Sequence, residues 1–162
     1  MNRRTLRPWL LAFLLSYATA GIGGALTELG PWYYALRQPD WKPPDAAFGV
    51  VWTTIFTLCA ISGALAWRAA ETAAQRRRVL VLFGANALLN IVWSALYFKL
   101  QRPDWALIEV ALLWLSILAL IVGLWRLSRW ASALLLPYLV WVSIASMLNL
   151  ATVQLNGPFG GV

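Results

Sequence analysis

Histidine is missing from the chain, and cysteine occurs only once, at Cys59, among its 162 residues. Without histidine the protein lacks the commonest ligand of haem iron and the usual general base of enzymes. A single cysteine excludes an intramolecular disulfide and gives no information about the redox compartment. The nucleophile elbow, the phosphate-binding loop and spaced metal ligands are missing too. The sequence therefore offers no catalytic apparatus, and we predict no metal site and no conventional enzyme.

Charge is scarce as well. Only 12% of the residues are charged, whereas 61% are hydrophobic and the mean hydropathy is +0.68. A soluble domain of this length could not bury so much apolar surface, so the solvent of the protein is lipid. The net charge of +7 would suggest nucleic acid in a soluble protein. Here the basic residues separate apolar runs, so we expect them to orient helices and contact anionic lipid, with no nucleic-acid partner.

Five apolar runs are long enough to cross a hydrocarbon core of roughly 30 Å, which takes about 20 helical residues. They predict transmembrane helices near residues 8–26, 46–69, 79–100, 105–125 and 132–155. Asp45 is a candidate N-cap of the second helix, and the Asn-Gly-Pro triplet at 156–158 predicts the end of the fifth. Because no internal repeat is visible, residues 1–162 form one membrane domain. The predicted fold class is an all-α integral membrane protein with a five-helix bundle.

Lysine and arginine are unevenly distributed over the two predicted sides of the membrane. Nine lie on the side of the N-terminus and four on the other. The nine are Arg3, Arg4, Arg7, Arg68, Arg76, Arg77, Arg78, Arg126 and Arg129, and the four are Arg37, Lys42, Lys99 and Arg102. This asymmetry predicts a bacterial inner-membrane protein with a cytoplasmic N-terminus. An outer membrane or an organelle would void the rule, and both stay open.

The N-terminus also has features of a cleavable signal peptide. Three arginines precede an apolar run, and the small triplet Ala-Thr-Ala at 18–20 resembles a cleavage site. Against cleavage, the run continues to Leu26 and so reaches spanning length. Cleavage would also delete the small face made by Ser16, Ala20 and Gly24, whose spacing suits close helix packing. We therefore predict that the first helix is retained.

A segment rich in proline and aromatic residues, 31–52, separates the first two apolar runs. It reads PWYYALRQPDWKPPDAAFGVVW and holds four of the eight prolines. Proline fixes its own φ and pushes the preceding residue towards extended backbone, so we expect a stiff, non-helical ribbon. Single aromatic residues on it, such as Trp32, Tyr33 or Trp41, are commonly interfacial anchors. As a cluster, they instead predict a lid that caps a pocket at the mouth of the bundle.

Polar residues at membrane depth form two predicted helix faces. They are Asn86, Asn90 and Ser94 on the third helix, and Tyr138, Asn149 and Thr152 on the fifth, where Trp141 and Ala145 lie on the same stripe. Polar groups at this depth must face the bundle or a cavity. For Asn149 we prefer a bridge between helices, whereas bridging and ligand contact are equally supported for Asn90.

Four tryptophans, Trp52, Trp93, Trp114 and Trp141, lie well inside the predicted helices. A buried indole N–H needs an acceptor, so these residues suit lipid-facing positions poorly. Two or three of them converging would make a wide, flat pocket for a large planar apolar ligand. For Trp114, core packing is the simpler interpretation.

Glu109 is an isolated acid about one turn into the fourth helix. An intramembrane carboxylate is a functional candidate by default. No second carboxylate, lysine or histidine accompanies it at depth to form an acid–base pair. We therefore predict an ion pair with Arg102 rather than a proton relay.

The aromatic and proline positions resemble those of the tryptophan-rich sensory protein/translocator protein (TspO/MBR) family. The matching positions are Trp32-Tyr33, Leu36, Pro39, Trp41, Pro43-Pro44, Phe48, Val51-Trp52, Leu89-Asn90, Trp93-Ser94, Trp105-Ala106-Leu107, Glu109, Pro137-Tyr138-Leu139, Trp141, Ala145 and Leu148-Asn149. They span residues 10–156 in one register, and the resemblance is to bacterial members.

The resemblance implies a five-helix bundle, often a homodimer, that binds porphyrins such as protoporphyrin IX as a membrane receptor or sensor and regulates their level. It implies no obligatory cofactor. Transport of porphyrin or another hydrophobic intermediate, and light-dependent porphyrin breakdown, are the alternatives. Carried over by motif position, the ligand-binding residues are Tyr33, Trp41, Pro44, Trp52, Asn90, Trp93, Tyr138, Trp141 and Ala145. Trp52 and Trp141 match the tryptophans implicated in the light-dependent reaction.

The chain departs from the family at one motif. Animal members carry a sterol-associated tyrosine and arginine at the end of the fifth helix, where this chain has Leu150 and Gln154. We therefore do not expect strong sterol binding.

Overall fold

The computed structural model describes residues 3–159, which are almost entirely helical and contain no strand. The helices are α1 (Arg3–Leu26), α2 (Pro31–Ala35), α3 (Asp45–Ala69), α4 (Ala73–Ser94), α5 (Pro103–Trp125), α6 (Arg129–Ala133) and α7 (Leu136–Asn156), and a π-helical segment, Ala95–Lys99, continues α4. Five of the helical units are long and apolar enough to cross a membrane, with α6 and α7 counted as one. The prediction of a multi-pass, all-α membrane protein is confirmed.

Two helix starts differ from the prediction, and the first is that α1 begins at Arg3 rather than near residue 8. The third crossing begins at Ala73 rather than near residue 79, because Thr72 and Gln75 form a capping box. The Gln75 N–H donates to the Thr72 hydroxyl over 3.2 Å, and the Thr72 N–H donates to the Gln75 side chain over 3.0 Å. This polar first turn precedes the apolar run and was therefore missed. The end of α7 at Asn156 is as predicted.

The last crossing is interrupted between α6 and α7. Proline 137 lies in the first turn of α7, where its missing N–H is tolerated. Just before the break, the buried Ser132 hydroxyl donates to the Ile121 carbonyl on α5 over 2.6 Å. The chain is therefore fixed to α5 next to the interruption.

The bundle packs around α5. Its side chains Leu113, Ile117, Leu120 and Leu124 are almost completely buried. Contacts place the long helices in a ring in the order α1, α3, α6 with α7, α5 and α4, which closes on α1. Helix α1 is the least buried of them. Two hydrogen bonds join it to α3: the Ser16 hydroxyl donates to the Phe56 carbonyl over 2.6 Å, and the Tyr17 and Thr57 hydroxyls lie 2.8 Å apart.

Candidate functional site

The segment between α1 and α3 is only partly the ribbon that the prolines predicted. Residues Pro31–Ala35 form one helical turn, with Pro31 in its first position. Proline is compatible with that position because its fixed φ is already helical, so the prediction of a non-helical backbone was wrong there. Further along, the Arg37 N–H donates to the Asn156 side chain over 2.7 Å, and Asn156 donates back to the Arg37 carbonyl over 2.9 Å. The lid segment is thus fastened to the end of α7.

Tyr33 is the residue of this segment that reaches inward. It is 7% exposed, and its hydroxyl donates to the Asp45 carboxylate over 3.1 Å. Burial, together with the nearby Asp45 carboxylate, raises the pKa of Tyr33 far above its ordinary value. Asp45 also pairs with Lys42, and it is the first residue of α3, after Pro44, rather than the N-cap we predicted. Through these two contacts Asp45 links the lid segment to the start of α3.

Trp41 and Pro44 lie at the surface, and Trp41 is 53% exposed. These two predicted ligand-binding residues are therefore exposed, whereas Tyr33 is buried.

Aromatic side chains bring Trp52 and Trp141 into one core cluster. The rings of Trp52 and Tyr138 meet edge to face with centroids 6.1 Å apart. Trp141 meets Phe48 in the same way at 5.4 Å. Both tryptophans therefore pack against aromatic neighbours within the cluster formed by α3, α5 and α7. Ala145 is half-buried on α7.

The polar residues of α4 join it to the neighbouring helices. Asn90 donates to the Tyr138 hydroxyl over 3.0 Å, and Asn86 donates to the Ser116 hydroxyl over 2.8 Å. The Trp93 indole donates to Asn149 over 3.3 Å, and Asn149 donates to the Pro103 carbonyl over 2.8 Å. Asn149 is therefore a bridge, as predicted.

Glu109 does not form the predicted ion pair. Arg102 pairs with Asp104, two residues away, and its guanidinium lies 4.1 Å from the centre of the Trp105 ring. Glu109 is 7% exposed, and neither of its carboxylate oxygens has a hydrogen-bond partner among the described residues. The prediction was wrong because the interfacial arginine takes the acid at the start of the helix, whereas Glu109 faces the protein interior.

Replacing Glu109 with glutamine should raise the thermal stability of the protein. A buried carboxylate without a partner is costlier than a neutral amide of the same shape, so we expect a gain of about 1–2 kcal/mol. Thermal unfolding in neutral detergent, compared with Asp104→Asn as the control that removes a paired acid, measures it. A lower transition temperature for Glu109→Gln would show that the carboxyl is used by a partner or ligand.

A cavity of about 860 Å³ lies between α1, α3 and α4, and it is open at one side, where the wall residues Leu11, Leu15 and Leu80 are exposed. Its walls are mainly apolar and include Leu11, Leu15, Phe56, Leu80 and Phe83, with small residues at Ala12, Gly63, Gly84 and Ala87. At the inner end are Asn86, Asn90 and Tyr138. At the outer end, on the side opposite the lid, are Arg7, Arg68 and Arg76.

The cavity differs in place from the pocket that the sequence predicted. Of the nine predicted ligand-binding residues, only Asn90 and Tyr138 line it. Trp52 does not line the cavity, but its ring contacts Tyr138, which does. The sequence does place small residues on all three helices, which is compatible with a cavity between them. Whether these residues line one cavity depends on how the helices pack, which the sequence does not show. Of the small face that we singled out on the first helix, which comprises Ser16, Ala20 and Gly24, only Ser16 lines the cavity.

Comparison with known proteins gives consistent matches along most of the chain. The sequence model of the TspO/MBR family matches residues 11–155. The tryptophan-rich protein TspO of Chlorobaculum tepidum is 42% identical over 77% of this chain and 80% of its own. Protein CrtK of Rhodobacter capsulatus is 31% identical over 89% and 90%. The translocator protein of Sus scrofa is 30% identical over 88% of each.

Proposed function

The chain belongs to the TspO/MBR family, and we propose that it is a membrane receptor that binds a porphyrin inside the helix bundle and senses its level. The observation that carries this proposal is the cavity between α1, α3 and α4. Its volume of about 860 Å³ falls in the range of roughly 300–1,000 Å³ usual for small-molecule sites. Its apolar walls and few polar groups suit a large planar ring.

The polar residues at the inner end of the cavity favour a specific ligand over lipid as its occupant. Asn90 and Tyr138 are hydrogen-bonded to each other there, and Tyr138 in turn contacts Trp52. A ligand that reaches this pair would contact two predicted binding residues directly. Only the Tyr138 side chain would separate it from Trp52, a third predicted binding residue, so binding should change tryptophan fluorescence.

Titration of the purified protein with metal-free protoporphyrin tests the proposal. We expect saturable quenching of tryptophan fluorescence with one porphyrin per chain. Because the chain has no histidine, iron is not required, and haem should bind no more tightly than the metal-free ring. Quenching that rises linearly, as it does with free tryptophan in the same detergent, would show partition into micelles and contradict the proposal.

Light-dependent breakdown of the bound porphyrin is a second candidate function, favoured by the contact between Trp52 and the cavity residue Tyr138. Trp52→Phe should keep porphyrin affinity within about twofold, because a flat apolar ring remains. It should reduce the light-driven loss of porphyrin absorbance severalfold, because phenylalanine is much harder to oxidise than indole. Trp114→Phe, whose indole donates to Ser143 over 2.9 Å, is the control. Equal rates in both variants and in the unmodified protein would exclude Trp52 from the reaction.

Membrane placement and assembly complete the proposal. The excess of arginine and lysine at one side supports a bacterial inner membrane with a cytoplasmic N-terminus. The outer end of the cavity, with its arginines, then faces the cytoplasm. We also propose a homodimer, supported by the family resemblance.

A further inference from the structure

One side chain ties the lid segment between α1 and α3 to the last helix. The Asn156 amide bonds with the backbone of Arg37 in both directions, as acceptor from its N–H over 2.7 Å and as donor to its carbonyl over 2.9 Å. The same amide donates to the Thr152 carbonyl over 2.9 Å, which holds it against the end of α7. We call this paired contact between Arg37 and Asn156 the latch.

The closed lid also contains a group that favours its opening. Gln38 follows Arg37 directly, and its side-chain nitrogen is buried without a hydrogen-bond partner among the described residues. A buried N–H without an acceptor costs free energy, which is recovered when water reaches the group. The latch and Gln38 are therefore adjacent in the chain and act in opposite directions, so neither position of the lid is overwhelmingly favoured.

Beneath the lid, stacked aromatic rings lead towards the inner end of the cavity. The Trp32 ring on the lid meets the Tyr97 ring with centroids 6.3 Å apart, and Tyr97 meets Trp93 at 5.3 Å. One turn before Trp93 on α4 is Asn90, which lines the inner end of the cavity. Tyr97 lies in the π-helical segment, a conformation that often marks functional sites. An open lid would expose these rings to an incoming ligand.

We propose that the lid is a gate, that the latch and the unpaired Gln38 amide set how often it opens, and that a planar apolar ligand passes through it towards Asn90. The entry route rests on the proposed porphyrin binding, whereas the latch does not. Lid opening limits exchange in many binding sites. Because a gate is passed in both directions, its opening changes the association and dissociation rates together and leaves the affinity nearly unchanged.

The competing explanation is that the latch is a static anchor and that the ligand enters through the open side of the cavity. The wall residues Leu11, Leu15 and Leu80 are exposed on that side. Under this explanation, loss of the latch would leave the exchange of ligand unchanged.

Trypsin measures the opening of the lid without any ligand. Within the lid segment it can cleave only after Arg37, because the other basic residue, Lys42, is followed by Pro43. The Arg37 side chain is exposed, and the carbonyl that trypsin attacks is the one that accepts from Asn156. When a segment opens and closes faster than it is cut, the cleavage rate follows its open fraction. The rate at which a fragment beginning at Gln38 forms therefore reports the state of the latch.

The two groups should change this rate in opposite directions. We expect Asn156→Ala to speed cleavage after Arg37 about tenfold, and Gln38→Met, which keeps the length of the side chain and removes its N–H, to slow it about threefold. Each rate is divided by that of the same variant when unfolded. Gln154→Ala, which removes an exposed amide from the same helix, should leave the rate unchanged. Asn156→Asp keeps the acceptor for the Arg37 N–H, so it serves if Asn156→Ala fails to fold, and it should give a smaller increase.

Exchange of metal-free protoporphyrin tests the entry route. Tryptophan fluorescence follows its release from the protein into an excess of empty detergent micelles, and its uptake in the reverse experiment. We expect Asn156→Ala to speed both by the same factor, about tenfold, with the affinity kept within about twofold. Gln154→Ala should exchange porphyrin at the unmodified rate.

Each other outcome has a definite meaning. Equal cleavage of Asn156→Ala and the unmodified protein would overturn the latch, and a Gln38→Met variant that is cut faster would overturn the opposing role of Gln38. Faster cleavage of Asn156→Ala with unchanged porphyrin exchange would overturn the lid as the entry route while leaving porphyrin binding intact. If protoporphyrin does not bind at all, the proposed function and the route fail together, and the cleavage rates still decide whether the latch holds the lid.

Discussion

Replacing Gly84 with leucine should lower porphyrin affinity by about a hundredfold. Gly84 lines the cavity on α4, and a Cβ added there meets no atom within 4 Å. The leucine side chain therefore extends into the space that the ring would occupy, without clashing with the protein. Fluorescence titration measures the loss. The helix itself should gain stability, by up to about 1 kcal/mol, because leucine has a higher helix propensity than glycine.

The matched control is Gly21→Leu. Gly21 also lies in a transmembrane helix with nothing within 4 Å of an added Cβ, but it does not line the cavity. This variant should gain the same helix propensity and keep its porphyrin affinity. Full affinity in Gly84→Leu, with a normal thermal transition, would place the ligand elsewhere, and the lid-side aromatic cluster around Trp52 and Trp141 would become the site to test.

The largest effect on stability is expected from Asn149→Leu. Asn149 is 1% exposed and contacts two elements at once, as acceptor from Trp93 and as donor to the Pro103 carbonyl. Leucine has a similar volume but leaves the partly buried Trp93 N–H without an acceptor. We expect the free energy of unfolding to fall by about 1–3 kcal/mol, measured by denaturant or thermal unfolding in detergent.

Gln154→Leu provides the comparison for Asn149→Leu. Gln154 is exposed on the same helix, so the same loss of an amide should leave stability within about 0.5 kcal/mol. Similar stability of the two variants would mean that the Asn149 bridge contributes little.

The sequence predicted the crossings well because lipid imposes a simple requirement on them. A helix that crosses a membrane needs a long apolar stretch, and each of the five contains one. What it could not predict were features set by single polar groups at helix ends. The capping box of Thr72 and Gln75 lengthened one helix. Arg102 forms its ion pair with Asp104, whereas we had predicted a pair with Glu109.

The candidate site was harder to predict because it depends on packing. The motif positions gave Trp52, Tyr138 and Trp141, which do share a cluster. The cavity, however, forms where the small residues Ala12, Gly63 and Gly84 of three different helices come to face one another. Their separations along the chain carry no information about that meeting. Only the arrangement of α1 against α3 and α4 brings the three together.

The most direct test of porphyrin binding in this cavity uses Cys59, which is the only cysteine and lines the wall on α3. The rate at which a small uncharged thiol reagent modifies it is measured at increasing protoporphyrin concentrations, with Cys59→Ala as the blank. We predict that modification slows in proportion to the fraction of protein bound, as measured by fluorescence in the same samples. An unchanged modification rate at saturating porphyrin would contradict binding in the cavity between α1, α3 and α4.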